Sequence, residues 1–88
     1  MYEIQTTATF RKSFEKLPRG IQKKAHGLLE ILAFDYRDAR LHTKKLHGNR
    51  VEYSFRIYRD YRGIFCFEDG GIILLLHIAH RKDIYKEL

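Results

Sequence analysis

The fold is decided by the stretch Tyr53-Ser-Phe-Arg-Ile-Tyr-Arg-Asp-Tyr-Arg62, which predicts one strand, a reversal and the start of a second strand. From Val51 to Tyr58 apolar side chains alternate with polar ones, a period of two that is typical of a strand with one buried face. Arg59-Asp60 supplies the tight reversal. Arg56 belongs to the polar set, so we expect it to face away from the core.

Two further strands complete a meander. Tyr61 to Glu68 is the first of them, and Asp69-Gly70-Gly71 has the residues of a hairpin turn. Ile72 to Ala79 is the second, and it is apolar at every position except His77. Such a run is expected for a central strand that is covered on both faces. The sequence therefore predicts three consecutive antiparallel strands.

The first part of the chain predicts a short strand and two helices. Tyr2 to Thr6 can form the strand, Thr7 or Thr9 can cap a helix, and Pro18 separates that helix from the next. Two apolar stripes with helical spacing follow the cap, at Phe10, Phe14 and Leu17 and at Ile21, Ala25, Leu28, Leu29 and Leu32. These stripes need the apolar side of the sheet as a partner. We expect an α+β fold, with an antiparallel two-helix hairpin on one face of an antiparallel sheet.

The remaining segments carry weaker patterns. Residues 37–49 are polar, basic and without periodicity, which favours a loop anchored by Leu41 and Leu46. Residues 82–88 can form a short helix or an extended cap. A length of 88 residues allows one domain, spanning 1–88.

Composition points to a polyanionic partner. The formal net charge is +6, and the segment 37–62 holds eight basic residues against three acidic ones. This concentration favours nucleic acid over a membrane surface. One cysteine, Cys66, excludes an internal disulfide, and neither a signal peptide nor a membrane span is expected. We therefore expect a cytoplasmic protein, with Cys66 as a small core or sheet-face residue.

Side-chain parity groups the basic residues on one face of the sheet. Along the last strand, Leu75, His77, Ala79 and Arg81 form one set, and Leu74, Leu76, Ile78 and His80 form the other. The set with His77 and Arg81 is the more polar, so we expect it to share a face with Arg56 and Arg62. A single bulge would invert this assignment. The prediction is a concave surface that carries Arg56, Arg62, His77 and Arg81.

Such a surface suits a phosphodiester. Guanidinium groups bind phosphate bidentately and stay charged near neutral pH. In RNA the adjacent 2′-hydroxyl can attack phosphorus, and arginines stabilise the extra negative charge of that transition state. Tyr85 could stack on a base or share a proton. This chemistry requires neither metal nor cofactor, and His77 and His80 are expected to point to opposite faces, which argues against a zinc pair.

Each residue also has a structural interpretation. Arg56 can be a solvated strand residue, and Arg62 can pair with an acid across the hairpin. Tyr85 can cap the core, and His77 can be a hydrogen-bonded core histidine. Lys44-Lys45 can be a solvated loop or a clamp on an RNA backbone. The functional hypothesis therefore depends on the joint pattern.

Four short segments occur in a characteristic order: Lys45-Leu-His-Gly48, Tyr53-Ser-Phe-Arg-Ile57, Asp60-Tyr-Arg62 and His80-Arg-Lys-Asp-Ile-Tyr85. Together with the order of strands and helices, they resemble the RelE/ParE superfamily of toxins from toxin–antitoxin pairs, and within it the RelE branch. The resemblance covers nearly the whole chain. It implies an mRNA interferase that cuts mRNA in the ribosomal A site by 2′-hydroxyl attack. It also implies a cognate antitoxin as inhibitor, contact with rRNA, and operator DNA binding only through the antitoxin complex.

The resemblance assigns roles by position. Arg56 matches a basic residue that contacts the scissile phosphate or assists proton transfer, and Arg62 and Arg81 match the phosphate and transition-state arginines. Tyr85 matches the tyrosine that stacks on the mRNA base or takes part in proton transfer. Ser54 stands where some RelE toxins have a lysine, which leaves the proton acceptor open, with His77 as a possible accessory group. RNA or ribosome contacts are expected at Lys44, Lys45, Arg50, Arg59 and Lys82.

Two other functions stay open. A ParE-like member of the superfamily would inhibit DNA gyrase without nuclease chemistry, although the set Arg62, Arg81 and Tyr85 speaks against it. A non-enzymatic domain would use its basic surface only to bind an acidic antitoxin or operator DNA. Fold by itself does not separate these functions.

Overall fold

The computed structural model describes residues 1–48 and 50–84. The elements, in chain order, are β1 (Glu3–Thr6), α1 (Ala8–Glu15), α2 (Arg19–Phe34), a 3₁₀ turn (Ala39–Leu41), β2 (Lys44–Lys45), β3 (Tyr53–Ile57), β4 (Tyr61–Glu68), β5 (Ile72–His80) and α3 (Arg81–Ile84). No helix in these two ranges is long and apolar enough to span a bilayer. The predicted order of strand, helical hairpin and meander is confirmed.

The strands form one five-stranded sheet in the order β1-β5-β4-β3-β2. The meander β3-β4-β5 is antiparallel, as predicted, but β1 pairs with β5 in parallel, so the sheet is mixed. Residues 37–48 are mostly loop, as predicted, and residue 49 lies outside the described residues. A short strand was not predicted there, but Lys44 and Lys45 pair with Ser54 and Tyr53 to form β2. Two exposed lysines carry no apolar pattern, and the edge of β3 supplies their hydrogen-bonding partner.

Both long helices lie on one face of the sheet and close the core. Their apolar stripes meet the apolar side of the meander, where Phe55, Phe65 and Leu75 are fully buried. Leu41 of the 3₁₀ turn is also fully buried, so it anchors the connecting segment as expected. α1 and α2 do not pack on the opposite face of the sheet, which carries the basic strand residues and is called the open face below. Ser54 and Ile64 on this face are nevertheless buried.

Thr7 joins the first helix to β5. Its hydroxyl accepts a hydrogen bond from the backbone N–H of Phe10 at 3.1 Å, so Thr7 rather than Thr9 is the N-cap of α1. The same hydroxyl is 3.0 Å from the carbonyl oxygen of Leu75 and 3.3 Å from that of Leu76. The start of α1 is thereby fixed to the middle of β5.

A β-bulge at Leu76 changes the face assignments of β5. Ile64 pairs with His77 and Phe65 pairs with Leu75, so Leu76 has no direct partner on β4. The sequence grouped Leu75 with His77 and Ala79, and this was wrong for Leu75, which lies in the core. The bulge likewise separates Leu74 from Ile78, because only Ile78 is in the core cluster. The outer face of β5 is half-buried at Leu74, so the expected cover on both faces is incomplete.

Candidate active site

Two rows of side chains cross the open face of the sheet. In one row Arg56, Arg62 and Ala79 are cross-strand partners, and in the other Ser54, Ile64 and His77 are. Cross-strand partners point to the same face, so Arg56 and Arg62 are immediate neighbours. The small Ala79 leaves space beside them.

The pairing of Arg56 with Arg62 disfavours the fold locally. Like charges directly opposite each other destabilise an antiparallel pair. Arg56 is exposed and Arg62 is half-buried, and neither takes part in an ion pair within residues 1–48 and 50–84. An anion bound between the two guanidinium groups would relieve the repulsion. The arrangement is therefore suited to hold a phosphate.

Arg62 is held in place by the turn that connects β3 and β4. Its Nη1 donates to the carbonyl oxygen of Arg59 at 2.8 Å and to that of Tyr61 at 3.0 Å. Both bonds use one nitrogen, and within residues 1–48 and 50–84 neither Nε nor Nη2 of Arg62 donates a hydrogen bond, so their hydrogens can serve a ligand. The backbone thus positions the guanidinium without neutralising its charge.

Arg81 reaches the same turn from the end of β5. It is the first residue of α3, so its direction follows from the helix rather than from strand parity. Its backbone N–H donates to the carbonyl oxygen of Asp60 at 2.6 Å, and its Nε lies 3.5 Å from Asp60 Oδ1. About half of each side chain is exposed, so the pair contributes little to stability and mainly orients Arg81. Asp60 was predicted as a turn residue and as part of the segment Asp60-Tyr-Arg62, but its contact with Arg81 was not predicted.

The second row is less polar than the first. Ser54 is 4% exposed and His77 is half-buried. Cys66 follows on β4, where burial raises the pKa of its thiol, with a smaller contribution from the charge of Glu68. A protonated, buried thiol agrees with the structural interpretation of this cysteine. The row therefore supports the arginines and adds little charge of its own.

The other predicted site residues divide by location. Arg59 and Lys82 are exposed near the β3–β4 turn and at the start of α3. Lys44, Lys45 and Arg50 lie toward the opposite end of β3, and Arg50 Nε is 3.9 Å from Glu52 Oε2. Tyr85 lies outside the described residues. The structure thus gathers Arg56, Arg59, Arg62 and Arg81 at one turn, and these four residues are called the arginine cluster below. Lys44, Lys45 and Arg50 lie apart from it.

No group of three or more His, Cys, Asp or Glu side chains that could hold a metal ion occurs within residues 1–48 and 50–84. Among the described residues, the shortest ion pair lies elsewhere, where Asp38 caps the 3₁₀ turn. There the side chain and backbone N–H of Arg40 lower the pKa of Asp38 to about 2. This contact holds the turn together and does not reach the arginine cluster.

No family model matches this chain, and no curated protein matches it. Solved structures do. A RelB–RelE antitoxin–toxin complex from Methanococcus jannaschii is 25% identical, with 94% of this chain and 96% of that chain covered and a TM-score of 0.76. An archaeal RelE–RelB complex from Pyrococcus horikoshii OT3 is 21% identical, with 93% and 97% covered and a TM-score of 0.77.

A third solved structure has the same fold at still lower identity. YafQ from E. coli strain BL21(DE3) is 12% identical, with 97% of this chain and 99% of that chain covered and a TM-score of 0.78. The chain therefore has the fold of the RelE/ParE superfamily of toxins. Among the solved structures reported above, RelE and YafQ are the particular proteins that it resembles in architecture. The resemblance found in the sequence is confirmed at this level.

Proposed function

We propose that this protein is the toxin of a toxin–antitoxin pair and acts as an mRNA interferase, an endoribonuclease that cuts ribosome-bound mRNA. One observation carries the proposal: Arg56, Arg62 and Arg81 gather beside the β3–β4 turn. The shared fold with RelE and YafQ supports it. Fold similarity suggests a toxin, and the arginines suggest the chemistry.

In the proposed reaction the 2′-oxygen of one nucleotide attacks the neighbouring phosphorus. The bond from phosphorus to the 5′-oxygen of the next nucleotide breaks, which leaves a 2′,3′-cyclic phosphate and a 5′-hydroxyl. One proton leaves the 2′-hydroxyl and one reaches the 5′-oxygen. The pentacoordinate transition state carries extra negative charge, and preorganised arginines stabilise it more than the ground state. Arg62 and Arg81 are assigned this role, and Arg56 contacts the scissile phosphate.

Proton transfer is not assigned to one residue, because several side chains are candidates. An arginine is a poor general base because its pKa is far above neutrality. Tyr85 is proposed to stack on the mRNA base or to take part in the transfer. His77, in the row next to the arginines, is the accessory candidate, and Ser54 lies in the same row on the far side of Ile64. The proposed reaction uses no metal and no cofactor.

The proposed partners follow from the charge and from the family. A cognate antitoxin binds and inhibits the toxin, and operator DNA is contacted only through that complex. The mRNA lies in the ribosomal A site, and the protein acts in the cytoplasm. Contacts to mRNA and rRNA are proposed for the exposed cations Arg59 and Lys82, beside the β3–β4 turn, and for Lys44, Lys45 and Arg50, toward the other end of β3.

Cleavage of a defined mRNA on stalled ribosomes, followed by mapping of 5′ ends, tests the proposal. Arg62→Ala and Arg81→Ala are each expected to lower the single-turnover rate by about 10²–10³-fold, the usual cost of losing one preorganised donor. Arg19→Ala is the matched control, because Arg19 is exposed at the start of α2. Its removal lowers the net charge equally and should leave the rate unchanged.

The outcome separates the three functions considered. Intact mRNA with the unmodified protein contradicts the nuclease, as does an equal loss of rate in the Arg19 control. Inhibition of gyrase in a supercoiling assay would indicate the ParE-like function instead. If neither activity is found and the arginine substitutions change only antitoxin affinity and its salt dependence, the protein is a binding domain.

A further inference from the structure

A cleft of about 520 Å³ opens between α2 and the edge of β3. It exists because β2 pairs only with Tyr53 and Ser54, which leaves the rest of that edge without a neighbouring strand. Leu28 and Ile31 of α2 form its apolar floor. Its volume falls within the range of roughly 300–1,000 Å³ that is typical of small-molecule sites. This cavity is called the α2–β3 cleft below.

The ionisable groups at the α2–β3 cleft are predominantly cationic. Lys24, Arg56 and Arg59 line it, and none of the three forms an ion pair within residues 1–48 and 50–84. Arg40 also lines it, but its guanidinium makes two hydrogen bonds of 2.9 Å to the Asp38 carboxylate. Among the described residues, the cleft therefore presents three positive charges without an acidic partner, and these charges attract an anion.

Tyr58 gives the α2–β3 cleft an exposed aromatic ring. Its side chain is 59% exposed, and its backbone φ of 52° places it in the left-handed region. That conformation costs a bulky residue free energy, and such strain often accompanies function. Lys24 Nζ lies over the ring, 5.4 Å from its centre, so the lysine and the tyrosine form a cation–π pair. The sequence did not indicate this pair, because a helix and a turn supply one residue each.

Arg56 joins the α2–β3 cleft to the arginine cluster. It lines the cleft and is also the cross-strand partner of Arg62. A nucleic-acid strand could therefore extend from the cleft to the arginine cluster with its phosphates next to basic side chains throughout. An exposed aromatic ring among cations is the usual means of holding an unpaired base and its phosphate.

We propose that the α2–β3 cleft binds one nucleotide of single-stranded RNA that flanks the cleaved linkage. The base stacks on Tyr58, and the adjacent phosphate contacts Lys24 and Arg59. This inference rests on the proposed function, since it identifies where the RNA substrate continues beyond the reacting phosphate. A competing occupant, an acidic segment of a protein partner, would use the same charges but would not require a stacking surface.

Binding of a fluorescent RNA oligonucleotide with 2′-O-methyl groups, which cannot be cleaved, tests the α2–β3 cleft. Tyr58→Ala is expected to weaken binding by roughly 5- to 150-fold, the equivalent of one lost base stack, whereas Tyr58→Phe should bind like the unmodified protein. Lys24→Gln should reduce the slope of log affinity against log salt by about 0.7, the value for one phosphate contact. Lys23→Gln is the matched control, because Lys23 is the exposed neighbour on α2 and does not line the cleft.

Tyr58→Gly distinguishes a ligand contact from a structural role. Glycine accepts the left-handed backbone, so its urea midpoint should equal or exceed that of the unmodified protein. Its RNA affinity should nevertheless fall as in Tyr58→Ala. Loss of affinity together with a lower midpoint would overturn the proposal, because Tyr58 would then act by supporting the fold.

The remaining outcomes are also decisive. Unchanged RNA affinity in Tyr58→Ala, or no binding by the unmodified protein, overturns the proposal. So does a loss of affinity for the antitoxin alone, which would identify a protein-docking cleft. If Tyr58 is needed for RNA binding but ribosome-bound mRNA stays intact, the result supports the proposed RNA site in the cleft and contradicts the proposed nuclease activity. If mRNA is cut and Tyr58→Ala binds RNA normally, the result supports the nuclease activity and contradicts the proposed RNA site in the cleft.

Discussion

Neighbouring residues of β3 have opposite surroundings. Phe55 is fully buried under the helices, whereas Arg56 is exposed on the open face beside Arg62. The first side chain contributes apolar burial, and the second adds a like-charge contact that opposes pairing. The core side of the sheet therefore stabilises a charge arrangement that the open side would not maintain by itself. Alternation along one strand thus separates the residues of stability from those of the site.

Substituting the two neighbours separately should produce opposite results. Phe55→Ala is expected to lower the free energy of unfolding by about 3–5 kcal/mol, because it leaves a cavity in the core. Arg56→Ala should change that free energy by less than about 0.5 kcal/mol, as is usual for an exposed residue, while it lowers the cleavage rate. Urea denaturation and the ribosome assay measure the two effects. A large loss of stability in Arg56→Ala would break the comparison.

Gly63 tests how closely the core side is packed. It pairs across the sheet with Phe55, and a Cβ added to it would approach Cε1 and Cζ of the Phe55 ring more closely than real Cβ atoms do. The ring is fully buried and has little room to shift. Gly63→Ala should therefore lower the free energy of unfolding by about 1–3 kcal/mol, as overpacked cores do.

A second substitution identifies the cause of that loss. In a Phe55→Leu background the ring is absent, so Gly63→Ala should cost less than it does alone. Urea denaturation of the unmodified protein, the two single variants and the double variant gives a double-mutant cycle. The double variant should lose less free energy of unfolding than the sum of the two single losses. Additive losses would mean that strand propensity, rather than contact with the ring, accounts for the effect of Gly63→Ala.

Local patterns predicted the elements well and their exceptions poorly. The strand Tyr61–Glu68 has the predicted limits, because turn residues flank it directly at both ends. The bulge at Leu76 has no such signal. Its carbonyl oxygen accepts from the hydroxyl of Thr7, which is 69 positions away, so only the folded chain brings the two together. The strand β2 is a similar case, since its lysines form a strand only where β3 offers an edge.

The candidate site was likewise predicted where local pattern decides the direction of a side chain, and missed where long-range contacts decide it. Parity correctly placed Arg56 on the open face, since an unbulged strand fixes its direction. The position of Arg81 depends on Asp60, and that contact requires the β3–β4 turn to meet the start of α3. The pair of Lys24 and Tyr58 requires α2 to cross the edge of β3. Long-range contacts of this kind leave no periodic trace in the sequence.

Thr7 connects α1 to β5, and its substitution should have the smallest effect of the three. Thr7→Ala removes the N-cap of α1 and the hydroxyl bonded to the carbonyl oxygens of Leu75 and Leu76. We expect the free energy of unfolding to fall by about 0.5–2 kcal/mol, as for other lost caps. Thr7→Ser keeps the hydroxyl and should restore most of the loss in urea denaturation.

The same variant asks whether the helix side controls the open face. The bulge next to Thr7 sets the direction of His77 and Ala79, so a relaxed bulge should shift the amide NMR resonances of both residues. Thr7→Ser should leave them in place. Unchanged resonances in Thr7→Ala would show that pairing with β4 alone maintains the bulge. The open face would then depend on the helices only through the core that they share.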